Sequence, residues 1–207
     1  MTKNGKIISL SLFATGILMI SLSISVLPWW TGQTSSTRND YTVTHHNSEK
    51  LLFSSMDRSC KGNCRRITNK VQHRSHFEKI NRMGKQIKFH SRKNSIASTE
   101  FIYKLSKEKK RAELKAYYGL VAALFHIFTM AFIIVLVTMK LRGKPLHGKL
   151  VHFAIPLTSI IISSAASGLF AAFSYSDVVK TPSFGIFTTG IGILCLIALL
   201  FSPLFKK

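Results

Sequence analysis

The sequence predicts a mainly α-helical membrane protein, a four-transmembrane-helix bundle with a small extracellular β-sheet formed by the first loop. Three observations carry that class. The chain of 207 residues is 46% hydrophobic, yet its formal net charge is +21. In a soluble domain, apolar residues are spread among polar ones at helix or strand periods. Here they are segregated, with blocks almost free of charge at 7–28, 116–139, 150–175 and 184–205. Each is roughly 22–26 residues, and about 20 apolar residues at ~1.5 Å rise cross a hydrocarbon core near 30 Å thick. The third observation is a long, basic, strand-patterned segment between the first two blocks.

The first block has two readings. Lys3 and Lys6, then an apolar run with Ser21, Ser23 and Ser25, resemble a secretory signal peptide. The apolar stretch is longer than a signal core, which favours a retained span.

Charge sets the expected orientation. Segment 29–116 holds 20 Lys and Arg against 7 Asp and Glu, plus five histidines. Long loops cross a membrane largely regardless of charge, whereas short loops follow the positive-inside rule. Lys3, Lys6, Lys140, Arg142, Lys144, Lys149, Lys206 and Lys207 fall on one side, and the short 176–183 segment has only Lys180, offset by Asp177. This places the 1–6 tail, the 140–149 loop and the 206–207 tail in the cytosol. The 29–116 loop and the 176–183 loop are then extracellular. The strip 103–115, with six basic residues beside the second block, argues the other way, because such strips suit anionic cytoplasmic lipid.

Within the large loop, residues 29 to about 72 read as strands and turns, with paired aromatics in "PWWTG" and period-two alternation in "DYTVTH". A β-hairpin is expected around 51–72, turning at the Lys-Gly-Asn between Cys60 and Cys64. In an oxidising compartment the two cysteines, facing each other across that hairpin, would form a disulfide. In a cytosolic loop, Cys60, Cys64, His73 and His76 offer two thiolates and two imidazoles for structural zinc, although the spacing departs from the usual finger. Both readings stand at this level. The stretch from residue 74 to 94 is basic and weakly patterned, so order only against a partner is expected there. From about residue 99 a helix is expected to run into the second span, with Ser98 or Thr99 as its cap.

In the spans, Ser164, Gly168 and Ala172 form a small-residue stripe, and Gly185, Gly190 and Gly192 cluster at the start of the fourth block. Both sets suit close helix packing, inside the bundle or at a seam between copies. His126 is an ionisable residue deep in a span, and Cys195 reads as a small apolar packer. No span holds Asp or Glu. Without an acid–base pair, nucleophile motif or phosphate loop, an enzyme is not expected, and neither is a cofactor.

Four spans, a large first loop with a Trp near the exit of the first span and a later cysteine pair, a short second outside loop and short tails resemble the claudin superfamily. That group includes claudins, peripheral myelin and epithelial membrane proteins and stargazin-like receptor subunits. The family's loop pattern is W…G-L-W…C…C. Trp30 or Trp29 corresponds to the first Trp, Leu52-Phe53 stands where Leu-Trp is usual, and Cys60 and Cys64 are the pair. The Gly-Leu-Trp is not intact and the cysteines are closer together than in the family. The resemblance implies a helix bundle topped by a β-sheet, with the cysteines bonded on neighbouring strands.

It also implies function by contact: adhesion or junction formation, or modulation of a channel or receptor, at the plasma membrane. The expected partners are the lipid bilayer and other membrane proteins, either copies of this chain or a channel or receptor. Acidic ectodomains or anionic lipid headgroups would meet a basic surface of Arg65, Arg66, Lys70, Arg74, Lys79, Arg82, Lys85 and Lys88. The alternative is a membrane-anchored basic adaptor whose cytosolic loop, with or without the zinc site of two cysteines and two histidines, binds anionic lipid or nucleic acid; no nucleic-acid recognition fold is visible.

Overall fold

A computed structural model describes residues 3–38, 41–62, 64, 70–92, 96–143, 153–174, 180–202 and 204–205. The order of elements is α1 (Lys3–Ser25), β1 (Trp30–Arg38), β2 (Tyr41–Glu49), β3 (Phe53–Gly62), β4 (Lys70–Ser75), α2 (His76–His90), α3 (Ile96–Leu141), α4 (Ile155–Ser174), β5 (Lys180–Pro182) and α5 (Phe184–Leu200). The chain is mostly helical and divides into two compact units, described one at a time.

The first unit comprises residues 1–29, 121–167 and 183–207. Residues from four helices meet in one apolar core: Ile20 of α1, Ile133 and Val137 of α3, Ile160 of α4, and Leu196 and Leu199 of α5. α1 and α5 pack closely where Gly16 faces Gly192. A Cβ on Gly192 would lie 2.7 Å from Ile20 Cγ1 and 3.2 Å from the Gly16 oxygen. Hydroxyls tie the helices together. Ser9 Oγ lies 2.9 Å from Ser202 Oγ, Ser23 bonds Thr189, and Thr129 Oγ1 lies 2.6 Å from Ser159 Oγ.

The burial pattern is inverted relative to a water-soluble bundle. Ser9, Ser23, His126, Thr129, Ser159, Ser163 and Thr189 are buried, while Ile7, Leu18, Ile127, Val135, Ile161 and Leu194 are exposed. Polar groups inside and aliphatic groups outside suit a hydrocarbon solvent. Among the described residues, three helices are long and apolar enough to cross a membrane, at 4–25, 98–141 and 155–173; α5, of 17 residues, is a shorter apolar helix. It ends at Leu200 rather than continuing to 205, with turns following.

The second unit comprises residues 30–120 and 168–182. Its five strands form one antiparallel sheet in the order β4-β3-β2-β1-β5. β2 and β3 are joined through Lys50–Leu52, where the Lys50 amide donates to the Phe53 carbonyl at 2.8 Å. β4 pairs with β3 only from Phe53↔Ser75 to Arg58↔Lys70.

Two expectations change here. The Lys-Gly-Asn is not the hairpin turn, because a register with Arg58 opposite Lys70 would place position 68, not Cys64, opposite Cys60. β3 instead continues past β4 to Gly62, which has a φ of 105°, and Cys64 lies off the strand. The basic stretch after residue 74 is also a regular helix. Ser75 caps α2, accepting from the Glu78 amide at 3.1 Å, and Glu78 pairs with Arg82 at 2.9 Å. His76, Ile80, Met83, Ile87 and His90 recur at helical spacing and, with Gly84, are its buried or half-buried positions. The signal was the Ser-x-x-Glu capping box followed by that period; the density of Lys and Arg hid it.

Candidate interaction surface

The surface of the second unit is positioned by a buried polar cluster that local sequence patterns do not reveal. Four consecutive residues, 49–52, are each held by a different contact. The Glu49 carboxylate pairs with the Lys115 ammonium of α3, both side chains being 10% exposed. The Lys50 carbonyl accepts from His76 Nε2 at 2.9 Å, which fixes the imidazole as its Nε2–H tautomer. Leu51 is fully buried. Its carbonyl oxygen sits 2.2 Å from where a Cβ on Gly119 would be, so only glycine fits at that point of α3. The Leu52 carbonyl accepts from the His76 amide at 3.3 Å.

Phe170 closes the cluster, its ring centroid 5.9 Å from the His76 ring and 5.9 Å from Lys115 Nζ. A cation over an aromatic face is favourable, and more so when desolvated. Burial, and then the neighbouring Lys115 charge, push the His76 imidazole down to about 4, so it is neutral at physiological pH. Neutrality leaves Glu49 as the counter-charge to Lys115. The cluster anchors α2 and α3 on the sheet; its ionisable groups are engaged with one another, so it reads as an organising centre rather than a reaction site.

The expected basic surface is divided by α2. Lys79 stands on one flank with Arg74, beside a cleft of about 250 Å³ that Asn47, Ser54, Met56 and Gln72 also line. Arg74 hydrogen-bonds Gln72. Arg82 is paired with Glu78 on the outward side. Lys85 and Lys88 are exposed on the opposite flank. The structure therefore brings Arg74 with Lys79, and Lys85 with Lys88, but not all of these residues into one patch. Arg65 and Arg66 lie outside the described residues, as does the side chain of Lys70.

Cys60 and Cys64 are disulfide-bonded, with a Cα–Cα distance of 6.1 Å. The zinc set of Cys60, Cys64, His73 and His76 is not assembled. Both sulfurs are committed to each other, His73 is exposed and His76 is buried on Lys50. The pair also does not bridge neighbouring strands as the family resemblance implied; it closes a loop at the end of β3.

Of the loop aromatics, Trp29 and Trp30 are buried, while Phe53 is 52% exposed. Trp29 Nε1 donates to the Ser23 carbonyl at 3.2 Å, and the Trp29 carbonyl accepts from the Ser183 amide at 3.0 Å. The buried residue of "KLLF" is Leu51, so Phe53 does not act as the second aromatic anchor.

The glycines also divide. Gly185 packs under Pro28 and Trp29, where a Cβ would lie 2.6 Å from the Pro28 oxygen, and Gly192 packs on α1. Added Cβ atoms on Gly168 and Gly190 would meet nothing within 4 Å. Ser164 donates to Ile160 of its own helix and Ala172 is exposed, so the α4 stripe is not an internal packing seam. α4 instead turns Ser159, Ser163 and Ser167 inward, where Ser167 Oγ lies 3.0 Å from His126 Nε2. Hydroxyls and an imidazole in a hydrocarbon setting are held where they find partners, and that choice rotates the small stripe outward. Cys195 is half-buried and free.

The described residues thus define a chain with several membrane-length apolar helices and a separate disulfide-bonded, basic β-sheet unit. No protein-family model matches the chain, and no curated protein is similar enough in sequence to match it.

Proposed function

We propose that this chain is a claudin-like, non-enzymatic tetraspan membrane protein. It acts by contact, in cell–cell adhesion at a junction or as an auxiliary subunit of a membrane channel or receptor, through its basic sheet unit. On this reading the chain is a four-span bundle in the plasma membrane with both termini cytosolic. Its partners are other membrane proteins, including further copies of itself.

The observation that carries this reading is the pairing of β1 with β5, which sets Trp30 opposite Pro182. β1 follows α1 and β5 precedes α5, so both connections share one side of a bilayer. That is the condition for α3 and α4 to cross as a pair. The 17 residues of α5 are at the short end of the range that spans a hydrocarbon core. The Cys60–Cys64 bond supports an oxidising compartment for that side, and four strands carried between the first two apolar helices support the family resemblance.

Thiol labelling in intact cells tests it. In a Cys195→Ser background, a membrane-impermeant maleimide should label Cys60 and Cys64 only after reduction. Labelling that needs permeabilisation but no reductant would overturn both the orientation and the claudin-like reading.

A further inference from the structure

We infer that the groove between α2 and α3 is a binding site for a sulfated glycan chain. The inference rests on the proposed extracellular placement of the sheet unit and adds a ligand class to it. The groove has a volume of about 480 Å³ and is lined by Phe77, Ile80, Gly84, Lys85 and Lys88 of α2 and by Lys109 of α3. Gly84 leaves its floor open. A Cβ there would lie 3.9 Å from Lys109 Cε, so the stem of Lys109 passes over the glycine, and its side chain lines the same groove as Lys85 and Lys88.

Charge complementarity selects an anion. Lys85 and Lys88 have no acidic partner among the described residues. Lys109 is paired with Glu113 at 3.2 Å, an exposed i,i+4 contact of small worth that a stronger anion displaces. Like charges gathered in a groove raise the local concentration of counter-anions. All three cations are lysines, which act as point charges; planar, bidentate recognition of carboxylate or phosphate is the role of arginine. Successive sulfates on a linear chain meet point charges without that constraint. Phe77, 53% exposed at the edge of the groove, offers an apolar face to a sugar ring.

Compartment separates the sources of polyanion. Anionic phospholipid is concentrated in the cytoplasmic leaflet, whereas the disulfide of the same unit calls for an oxidising compartment. Sulfated polysaccharide is the polyanion expected there.

The test uses the full chain in nanodiscs of neutral phosphatidylcholine, with heparin as the probe and salt as the variable. Lys85→Gln/Lys88→Gln should weaken heparin binding about tenfold and lower the slope of log affinity against log salt by roughly 1 to 2. The charge-matched control Lys104→Gln/Lys107→Gln should change affinity less than about threefold, and fully desulfated heparin should bind about tenfold more weakly. All four lysines are exposed, so unchanged thermal midpoints certify the fold. Equal losses in both double variants, absence of heparin binding, or equally tight binding to phosphatidylserine vesicles would overturn the site. Both faces of a nanodisc are accessible, so these outcomes do not depend on orientation. If thiol labelling instead places the unit in the cytosol, the glycan falls as the ligand while the nanodisc result still reports on the groove.

Discussion

Nε2 of His76 lies 2.9 Å from the carbonyl oxygen of Lys50, which joins the first residue of α2 to the turn between β2 and β3. The bond requires a proton on Nε2, which the neutral Nε2–H tautomer supplies, and burial together with Lys115 holds the group to about 4. An unfolded histidine titrates near 6.5. Between those values the unfolded chain binds a proton that the folded chain does not. The folded state therefore loses stability as pH falls from about 6.5 towards 4, by on the order of 3 kcal/mol in all, and this group adds no pH dependence above that window. Thermal unfolding in detergent from pH 7.5 to 4.5 should show that slope in the parent. His76→Gln keeps an amide donor for Lys50 and should flatten it; equal slopes would refute the assignment.

The Glu49–Lys115 pair is nearly dry, so removing one partner strands the other charge. Lys115→Met should cost about 3–5 kcal/mol, and Glu49→Gln/Lys115→Met should cost clearly less than the sum of the two single changes. A double-mutant cycle on thermal midpoints reads the coupling. Strict additivity would mean that the contact does not hold α3 to the sheet.

Glycine-to-alanine changes should rank by what the new methyl meets. At Gly119 it would lie 2.2 Å from a backbone oxygen, at Gly185 2.6 Å from another, and at Gly192 2.7 Å from a side-chain carbon, Ile20 Cγ1, rather than from backbone. Gly119→Ala and Gly185→Ala should therefore cost more than about 2 kcal/mol and Gly192→Ala less, in the manner of an overpacked core. Gly168→Ala and Gly190→Ala should stay within about 1 kcal/mol. Midpoints from a fluorescence-detected melting series would test the order.

Cys60→Ser/Cys64→Ser removes the closure of a short loop, worth about 2 kcal/mol by chain entropy. The sheet should survive, since Ser54 to Arg58 of β3 is paired on both sides. Amide exchange should accelerate at Ser59 to Gly62, and protection should persist at Met56. Loss of protection throughout β3 would show that the bond supports the whole sheet.

Legibility followed the range of the interactions. A 20-residue apolar run is a local property, and the helices at 4–25, 98–141 and 155–173 overlap the apolar blocks expected at 7–28, 116–139 and 150–175, the second helix also taking in the basic strip before its block. The β-branched and aromatic residues of "YTVTH" became β2, because residue shape is also a local property. α2 was readable in its capping box and spacing but was obscured by its basic composition. The pairing of Glu49 with Lys115 spans 66 positions and carries no motif.

By itself the sequence determined the segregation of apolar from basic segments and the strand character of the first loop, because hydropathy and residue shape act within a few turns or alternations of chain. Only tertiary structure decided which face of each helix turns inward. The stripe of Ser164, Gly168 and Ala172 looked like a seam, yet α4 buries Ser159, Ser163 and Ser167. Thr129 and His126, brought from α3, supply the partners that Ser159 and Ser167 lack in hydrocarbon. The three residues of β5 likewise become a strand only because β1 is beside them. A strand edge is satisfied by whichever backbone reaches it, and no local pattern encodes which one that will be.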